Sequence, residues 1–180
     1  MTAVGVASDL GIDTFLEAGP GRSAFARGLR RVASTRPGAW VFARTVHHLD
    51  PIALRITGGG TLTEALAGLP TIFLTSTGAR TGLGRTSPLV AVPAGAQVAV
   101  IGSNFGRPTH PGWVHNLLAD PRATASRRGR SVEVEAREVA GEQAAAIWQQ
   151  ARALYHGYRT YPERTGGRVI RVFVLEPRQP

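Results

Sequence analysis

The chain has 180 residues, 43% of them hydrophobic, with no cysteine and a formal net charge of +9 in which every basic side chain other than histidine is arginine. That length suits one domain with a core of its own rather than two. The balanced composition excludes a disordered chain, and the missing thiols exclude a disulfide framework, a thiolate zinc site and a Cys nucleophile.

Arginine suits planar, bidentate recognition of phosphate or carboxylate, so an anionic ligand is expected. An arginine-only basic complement also follows from genome composition, and both readings stand at this point.

The first twenty residues carry little pattern and no charged leader followed by an apolar stretch, so no signal peptide is read. Phe25, Leu29 and Val32 then recur at helical spacing, with Arg27, Arg30 and Arg31 between them. Ser34 and Thr35 offer caps and Pro37 a first-turn proline for a second helix carrying Trp40, Val41, Val46 and Leu49. Its His47-His48 pair reads as surface. "TGGGT" at 57–61 interrupts the chain, and "LTEALAGLP" reads as a short helix closed by Gly68 and Pro70. We divide the chain into a partly helical N-terminal extension, residues 1–35, and one domain, residues 36–180. No apolar run reaches the roughly 18 residues a spanning helix needs. The cytoplasm is the default location, and a peripheral membrane contact through the N-terminal helices stays open.

From residue 71 the pattern turns to strands. "TIFLTST" (71–77), "TSPLVAV" (86–92) and "QVAVIGS" (97–103) are rich in β-branched residues, with "PAGA" as a turn between the last two. "HPGWVHNLLADP" (110–121) predicts a short helix begun after Pro111. "RATASRR", Gly129 and "SVEVEAREV" predict a hairpin, and "GEQAAAIWQQARALYHGY" a helix with Ile147, Trp148, Ala151 and Leu154 on its inner side. Gly157 and Pro162 predict that this helix stops there, leaving a mobile aromatic segment. "RVIRVFVLEP" closes the pattern as a strand. Strands joined by tight turns around few helices predict an α+β fold, with six antiparallel strands closed into a small barrel because closure removes exposed edges.

The most distinctive stretch is "TSTGARTGLGRTSPLVAV" (75–92). A P-loop is excluded, since that motif needs a lysine and a following helix. Between Glu64 and Asp120 there is no carboxylate, only Arg80, Arg85 and Arg107. Gly78, Gly82 and Gly84 would let backbone amides approach a ligand, and Thr81, Thr86 and Ser87 carry hydroxyls. Spacing alone leaves two readings, a phosphate site or an exposed hairpin with solvated arginines. His110 and His115 near Trp113 make a poor metal site, with no thiol or carboxylate close by. A helix N-terminus facing an anion is the better functional reading, and Trp113 as ordinary core the plainer one. No Ser-His-Asp pattern for acyl transfer is present.

"TSTGARTGLGRTSPLV", then "GSNFGRPTHPGWVHNLLADP", then "LYHGYRTYPERTGGRVIRVFVLEP" resemble, in that order, the deazaflavin-dependent nitroreductase family of actinobacteria. The resemblance covers about residues 70–177. It implies a split β-barrel like those of flavin reductases and pyridoxamine oxidases, binding coenzyme F420 through its phosphate and polyglutamate tail. It also implies hydride transfer to a flat, electron-poor acceptor such as a quinone or nitroaromatic. Carried over by position, the phosphate loop falls on Ala79, Arg80, Thr81, Arg85, Thr86, Ser87, Pro88, Leu89 and Val90. The wall against the ring falls on Ile101, Gly102, Ser103 and Asn104, and the helix start on Gly112, Trp113, Val114, His115 and Asn116. Tyr155, Tyr158 and Tyr161 take the acceptor side as an aromatic lid, with Ser103 as a further hydrogen-bonding group there. Asn104 replaces a lysine of some relatives, and Val90 a tyrosine. Use of FMN on the same fold, or cofactor binding without catalysis, remain as alternatives, and a homodimer stays open. Nucleic acid is not an expected partner, since no basic stripe interleaved with aromatics is present.

Overall fold

The computed structural model describes residues 69–127 and 129–178. The helices expected before Pro70, the division at residue 35 and the His47-His48 pair lie outside the described residues. The elements run β1 (Thr71–Thr77), β2 (Gly84–Val90), β3 (Val92–Ala94), β4 (Gln97–Ile101), α1 (Gly112–Ala119), β5 (Arg122–Arg127), β6 (Arg130–Val139), α2 (Gly141–Leu154), α3 (Gly157–Arg164) and β7 (Val172–Pro177). All seven strands form one antiparallel sheet in the order β2-β1-β5-β6-β7-β4-β3. The expected α+β class holds, but the six-strand count does not. The run read as one strand over 86–92 is broken at Ala91, and its far end pairs separately with β4 through Val92↔Ala99 and Ala94↔Gln97.

That break curls the sheet. β2 and β3 are its opposite edges, yet only Ala91 separates them in the chain. Ala91 is fully buried and donates its amide to the Pro70 carbonyl at 2.8 Å.

Strand alternation then sorts side chains onto two faces. Ile72, Leu74, Val98, Val100, Phe173 and Leu175 face inward with Trp113, Val114 and Leu117 of α1, so that helix fills the hollow of the curled sheet. Ala99, Ile101, Val172 and Val174 face outward and are covered by Ile147 and Ala151 of α2 and the three tyrosines.

α2 stops at Leu154, where Tyr155 is extended (φ −144°, ψ 124°), as Gly157 led us to expect. The mobile aromatic segment is a correction. The chain restarts as α3 with Pro162 inside it, and Tyr155, Tyr158 and Tyr161 are all buried. Burial of Tyr158 and Tyr161 holds this short helix despite the hydrogen bond that Pro162 cannot donate.

Beyond β4 the backbone makes a tight turn in which two non-glycine residues, Asn104 (φ 47°) and Phe105 (φ 55°), are left-handed. Each such residue costs about 1–2 kcal/mol, so the surroundings must hold it. Asn104 Nδ2 donates to the Thr109 carbonyl at 2.8 Å. The main brace is Arg168. Its Nη1 donates to the Gly102 carbonyl (3.0 Å) and its Nη2 to the carbonyls of Ser103 (2.9 Å) and Arg107 (2.9 Å). Nη1 also meets His110 Nδ1 at 3.2 Å.

Because guanidinium only donates, His110 Nδ1 must accept and the imidazole proton sits on Nε2. Partial burial, then the charges of Arg168, Arg171 and His115, hold the His110 pKa below the usual imidazole range, with Glu138 opposing them. The unfolded chain takes up that proton near the ordinary value of about 6.5, the folded chain only at lower pH. The stability contributed by neutral His110 is therefore complete above about pH 6.5 and lost as pH falls through the folded value. In thermal unfolding between about pH 7.5 and 5, wild type should lose more stability than His110→Gln, whose amide oxygen still accepts from Arg168 and does not titrate. Equal losses would assign the acid sensitivity to another group.

Candidate functional site at the mouth of the curled sheet

The glycine-rich loop leaves β1 at Gly78. A methyl group there would come within 2.8 Å of Thr81 Oγ1 and 3.0 Å of the Leu83 carbonyl, so this tight start needs glycine. The loop does not offer its amides as a nest, which corrects one expectation. Gly78 N donates to the Leu83 carbonyl, and Thr81 N and Gly82 N to that of Gly78. Ala79 N donates to Asn116 Oδ1 at 3.0 Å. What the loop presents outward is its side chains, with Arg80, Thr81, Arg85 and Thr86 all exposed.

Register divides the predicted binding residues of β2. Arg85, Ser87 and Leu89 stand opposite Ser76, Leu74 and Ile72, on the inward face, and Leu89 packs against the inner core. Thr86 and Pro88 stand opposite Thr75 and Phe73 on the other face, and Val90 packs against the outer core. The Thr86 hydroxyl is bonded to that of Thr75 at 2.8 Å. The nine loop positions therefore do not converge on one surface; on β2, Arg85 and Ser87 share the inward face, and Arg80 is exposed in the loop before it.

Helix α1 ties the pieces together. Asn116 is buried, accepts from Ala79 N and donates to Ser76 Oγ at 3.1 Å, so it hangs the loop from the helix. One turn earlier, Val114 and Trp113 lie on Gly102, where an added methyl would reach Val114 Cγ2 at 2.8 Å. The same helix thus seats the glycine-rich loop and the end of β4. Trp113 and Val114 are core, with Trp113 edge-on to Phe173 at 5.9 Å, while Gly112 and His115 are exposed. Ile101 is packed in the outer core, and Ser103 is buried in the turn held by Arg168.

The tyrosines form one cluster, with ring centroids 5.9 Å (Tyr155–Tyr158), 6.1 Å (Tyr155–Tyr161) and 5.8 Å (Tyr158–Tyr161) apart. Gly157 makes this possible, since a side chain there would enter the space of Tyr155 and Tyr161. The cluster reaches the left-handed turn through Phe105, edge-on to Tyr161 at 6.4 Å. Burial is the first cause pushing each tyrosine pKa above its usual value.

Arg168 was not singled out by the sequence. The only local sign of it is the Gly166-Gly167 pair before it, which marks a turn and no ligand. Among the described residues no three His, Cys, Asp or Glu side chains come together to hold a metal, and no helix is long and apolar enough to cross a membrane.

A cationic, hydroxyl-bearing loop over a segment without carboxylates has the donor chemistry that a phosphate and a carboxylate tail require. The residues present fit a polyanionic cofactor.

Comparison with known proteins agrees with that donor set. The model of the F420H(2)-dependent quinone reductase family matches residues 50–177. An F420H(2)-dependent quinone reductase of Mycobacterium tuberculosis is 33% identical over 112 residues, 61% of this chain and 74% of that protein. A solved structure described as an F420-H2 dependent reductase is 33% identical, covers 59% of this chain and 94% of that one, and superposes with a TM-score of 0.54. A second, described as a domain-swapped dimer, is 31% identical and covers 78% of this chain and 99% of that one, with a TM-score of 0.55. The chain belongs to the F420H(2)-dependent quinone reductase family.

Proposed function

We propose that this chain binds reduced coenzyme F420 at the mouth of the curled sheet and directs its hydride to a quinone. Family membership supplies the cofactor and the reaction. The observation that carries the local reading is the loop hung from Asn116, with Arg80 and Arg85 both exposed in a segment free of carboxylates. FMN is not needed to account for it, and a purely cofactor-holding role leaves the family's activity without a counterpart.

In this reading Arg80, Arg85 and Ser87 bind the phosphate and the carboxylate tail. Gly102, Ser103 and Asn104 form the wall beside the ring, held by Arg168. When bound, the deazaflavin supplies the hydride. The protein's own work is to orient that donor, to bring a flat acceptor against it and to keep water out. The tyrosine cluster is joined to the same turn through Phe105, and we assign it to the acceptor side. A nitroaromatic acceptor and a membrane contact have no separate support. The swapped dimer of the related structure makes a homodimer of this chain a reading for solution scattering to decide.

Calorimetric titration tests the cofactor assignment. F420 should bind at least about tenfold more tightly than FMN, a difference of about 1.4 kcal/mol or more, because its tail adds anions for the arginines. Equal or tighter FMN binding would move the chain to a flavin-using branch.

Arg85→Ala should weaken F420 binding by about 1.5–3 kcal/mol, as for a lost hydrogen bond to a charged group. The thermal midpoint without cofactor should scarcely move, since Arg85 is exposed. An Arg85→Ala protein that fails to fold would make the residue structural and remove the loop's best witness.

A further inference from the structure

An arginine side chain has five N–H groups, and Arg168 uses each of them. Nε donates to the Arg107 carbonyl at 3.2 Å, and Nη2 to the same oxygen at 2.9 Å. Nη2 also donates to the Ser103 carbonyl at 2.9 Å, and Nη1 to that of Gly102 at 3.0 Å. The remaining N–H, on Nη1, goes to His110 Nδ1 at 3.2 Å. A guanidinium is a rigid planar fork, so its donors move together. The carbonyl oxygens it meets take up no proton at any pH the fold tolerates. His110 does.

The lone pair of Nδ1 that accepts from Arg168 is also where a neutral imidazole takes its second proton. Once protonated, Nδ1–H would face Nη1–H across 3.2 Å, donor against donor and cation against cation. Nη1 cannot retreat without drawing the fork off Gly102 and Ser103. Those residues, with Asn104, are the wall assigned to the ring, and they lead into the left-handed pair Asn104 and Phe105. Two further supports of this turn do not titrate near neutral pH. Asn104 Nδ2 donates to the Thr109 carbonyl, and the Arg164 stem packs on Gly106, where a methyl group would come within 2.9 Å of Arg164 Cβ.

We propose that His110 is a positioning residue for the ring wall: its unprotonated Nδ1 holds Arg168, and through it Gly102 to Asn104, in the form that receives the cofactor. A second proton on His110 releases that wall and weakens cofactor binding. The inference rests on the cofactor reading above.

The groups around the imidazole disfavour that proton. Arg168 and Arg171 bring positive charge to it, and the exposed His115 ring lies edge-on at 5.8 Å. Glu138 acts in the other sense, but both its oxygens accept from Arg171 Nη1 at 2.7 Å. Burial first, then these cations, keep the His110 pKa below its ordinary value of about 6.5. The wall is therefore fully braced above about pH 6.5 and released as pH falls through the lower, folded value.

A ligand that prefers the unprotonated form must lower the His110 midpoint when it binds. An anionic cofactor acting by charge alone would favour the imidazolium and raise it. The two roles thus differ in sign. NMR of the His110 ring protons, identified by their absence from His110→Asn, follows that midpoint with and without F420. F420 should lower it by about half a pH unit or more. By the same linkage, F420 affinity should fall about threefold or more from pH 7.5 to below the free protein's midpoint. A midpoint that rises or stays in place overturns the proposal.

His110→Ala, which lacks the acceptor, should bind F420 about threefold or more weakly even at pH 7.5. His110→Asn, whose amide oxygen hangs from the same carbon as Nδ1, should recover most of that affinity and flatten its pH dependence. A pH dependence equal to that of wild type in His110→Asn would assign the effect to the cofactor's own titration and overturn the proposal. Without cofactor, the amide signals of Asn104 and Phe105 should move with the His110 midpoint. Signals that ignore it would overturn the brace itself. A turn that moves with His110 in a protein that binds no F420 would instead sink the cofactor reading, and the role in binding with it.

Discussion

One residue decides the shape of this molecule. Ala91 is the only link between the two edges of a seven-stranded sheet, so the sheet must bend until those edges are one residue apart. An amide buried at such a passage must be satisfied, and the Pro70 carbonyl takes it. Once the edges meet, the concave side becomes a hollow that, among the described residues, α1 fills, and the convex side over β3, β4 and β7 is covered by α2 and the tyrosines. The alternation of β4 and β7 serves both demands, with Val100 and Phe173 inward and Ile101 and Val172 outward.

The site inherits its geometry from that closure. α1 touches the loop after β1 with Asn116 and the end of β4 with Val114, and these two places are brought within one helix of each other only because the sheet curls. Arg168 then fixes the turn beyond β4 from the opposite end of the sequence. Its bonds go to three main-chain oxygens and one imidazole, groups whose placement does not depend on which side chains the turn carries. A positively charged brace at that turn also adds to the field an anionic cofactor meets on approach.

Much of this was legible in the residues. "SVEVEAREV" has the period of two that a half-buried strand requires, "TIFLTST" is a run rich in β-branched residues, and both are strands. The break at Ala91 was not legible, because alanine reads alike within a strand and at a bend. Gly157 marks the end of α2 on local grounds, whereas Pro162, a breaker on the same grounds, was overruled by the burial of Tyr158 and Tyr161, which is a tertiary effect. The glycines of 78–84 announced amides that could approach a ligand, but the direction in which an amide points is settled only by its partner, and Asn116 lies 37 residues from Ala79. Arg168 and Arg164 carry no local sign of what they touch. What they hold lies about sixty residues earlier in the chain. The binding positions themselves came from resemblance, and only register could divide them between two faces.

The strand order has a consequence for how the molecule is made. β2, β1, β5 and β6 form one block through neighbouring antiparallel pairs, and β3 with β4 forms a separate hairpin. β7 alone pairs with both, to β6 on one side and β4 on the other. It is also the last of the described strands in chain order. Until it is in place, the block and the hairpin share no strand pairing, each with an open edge, and the hollow for α1 has no complete wall. Closure therefore waits on contacts between distant parts of the chain, the kind that slow folding and leave edges exposed to other chains meanwhile.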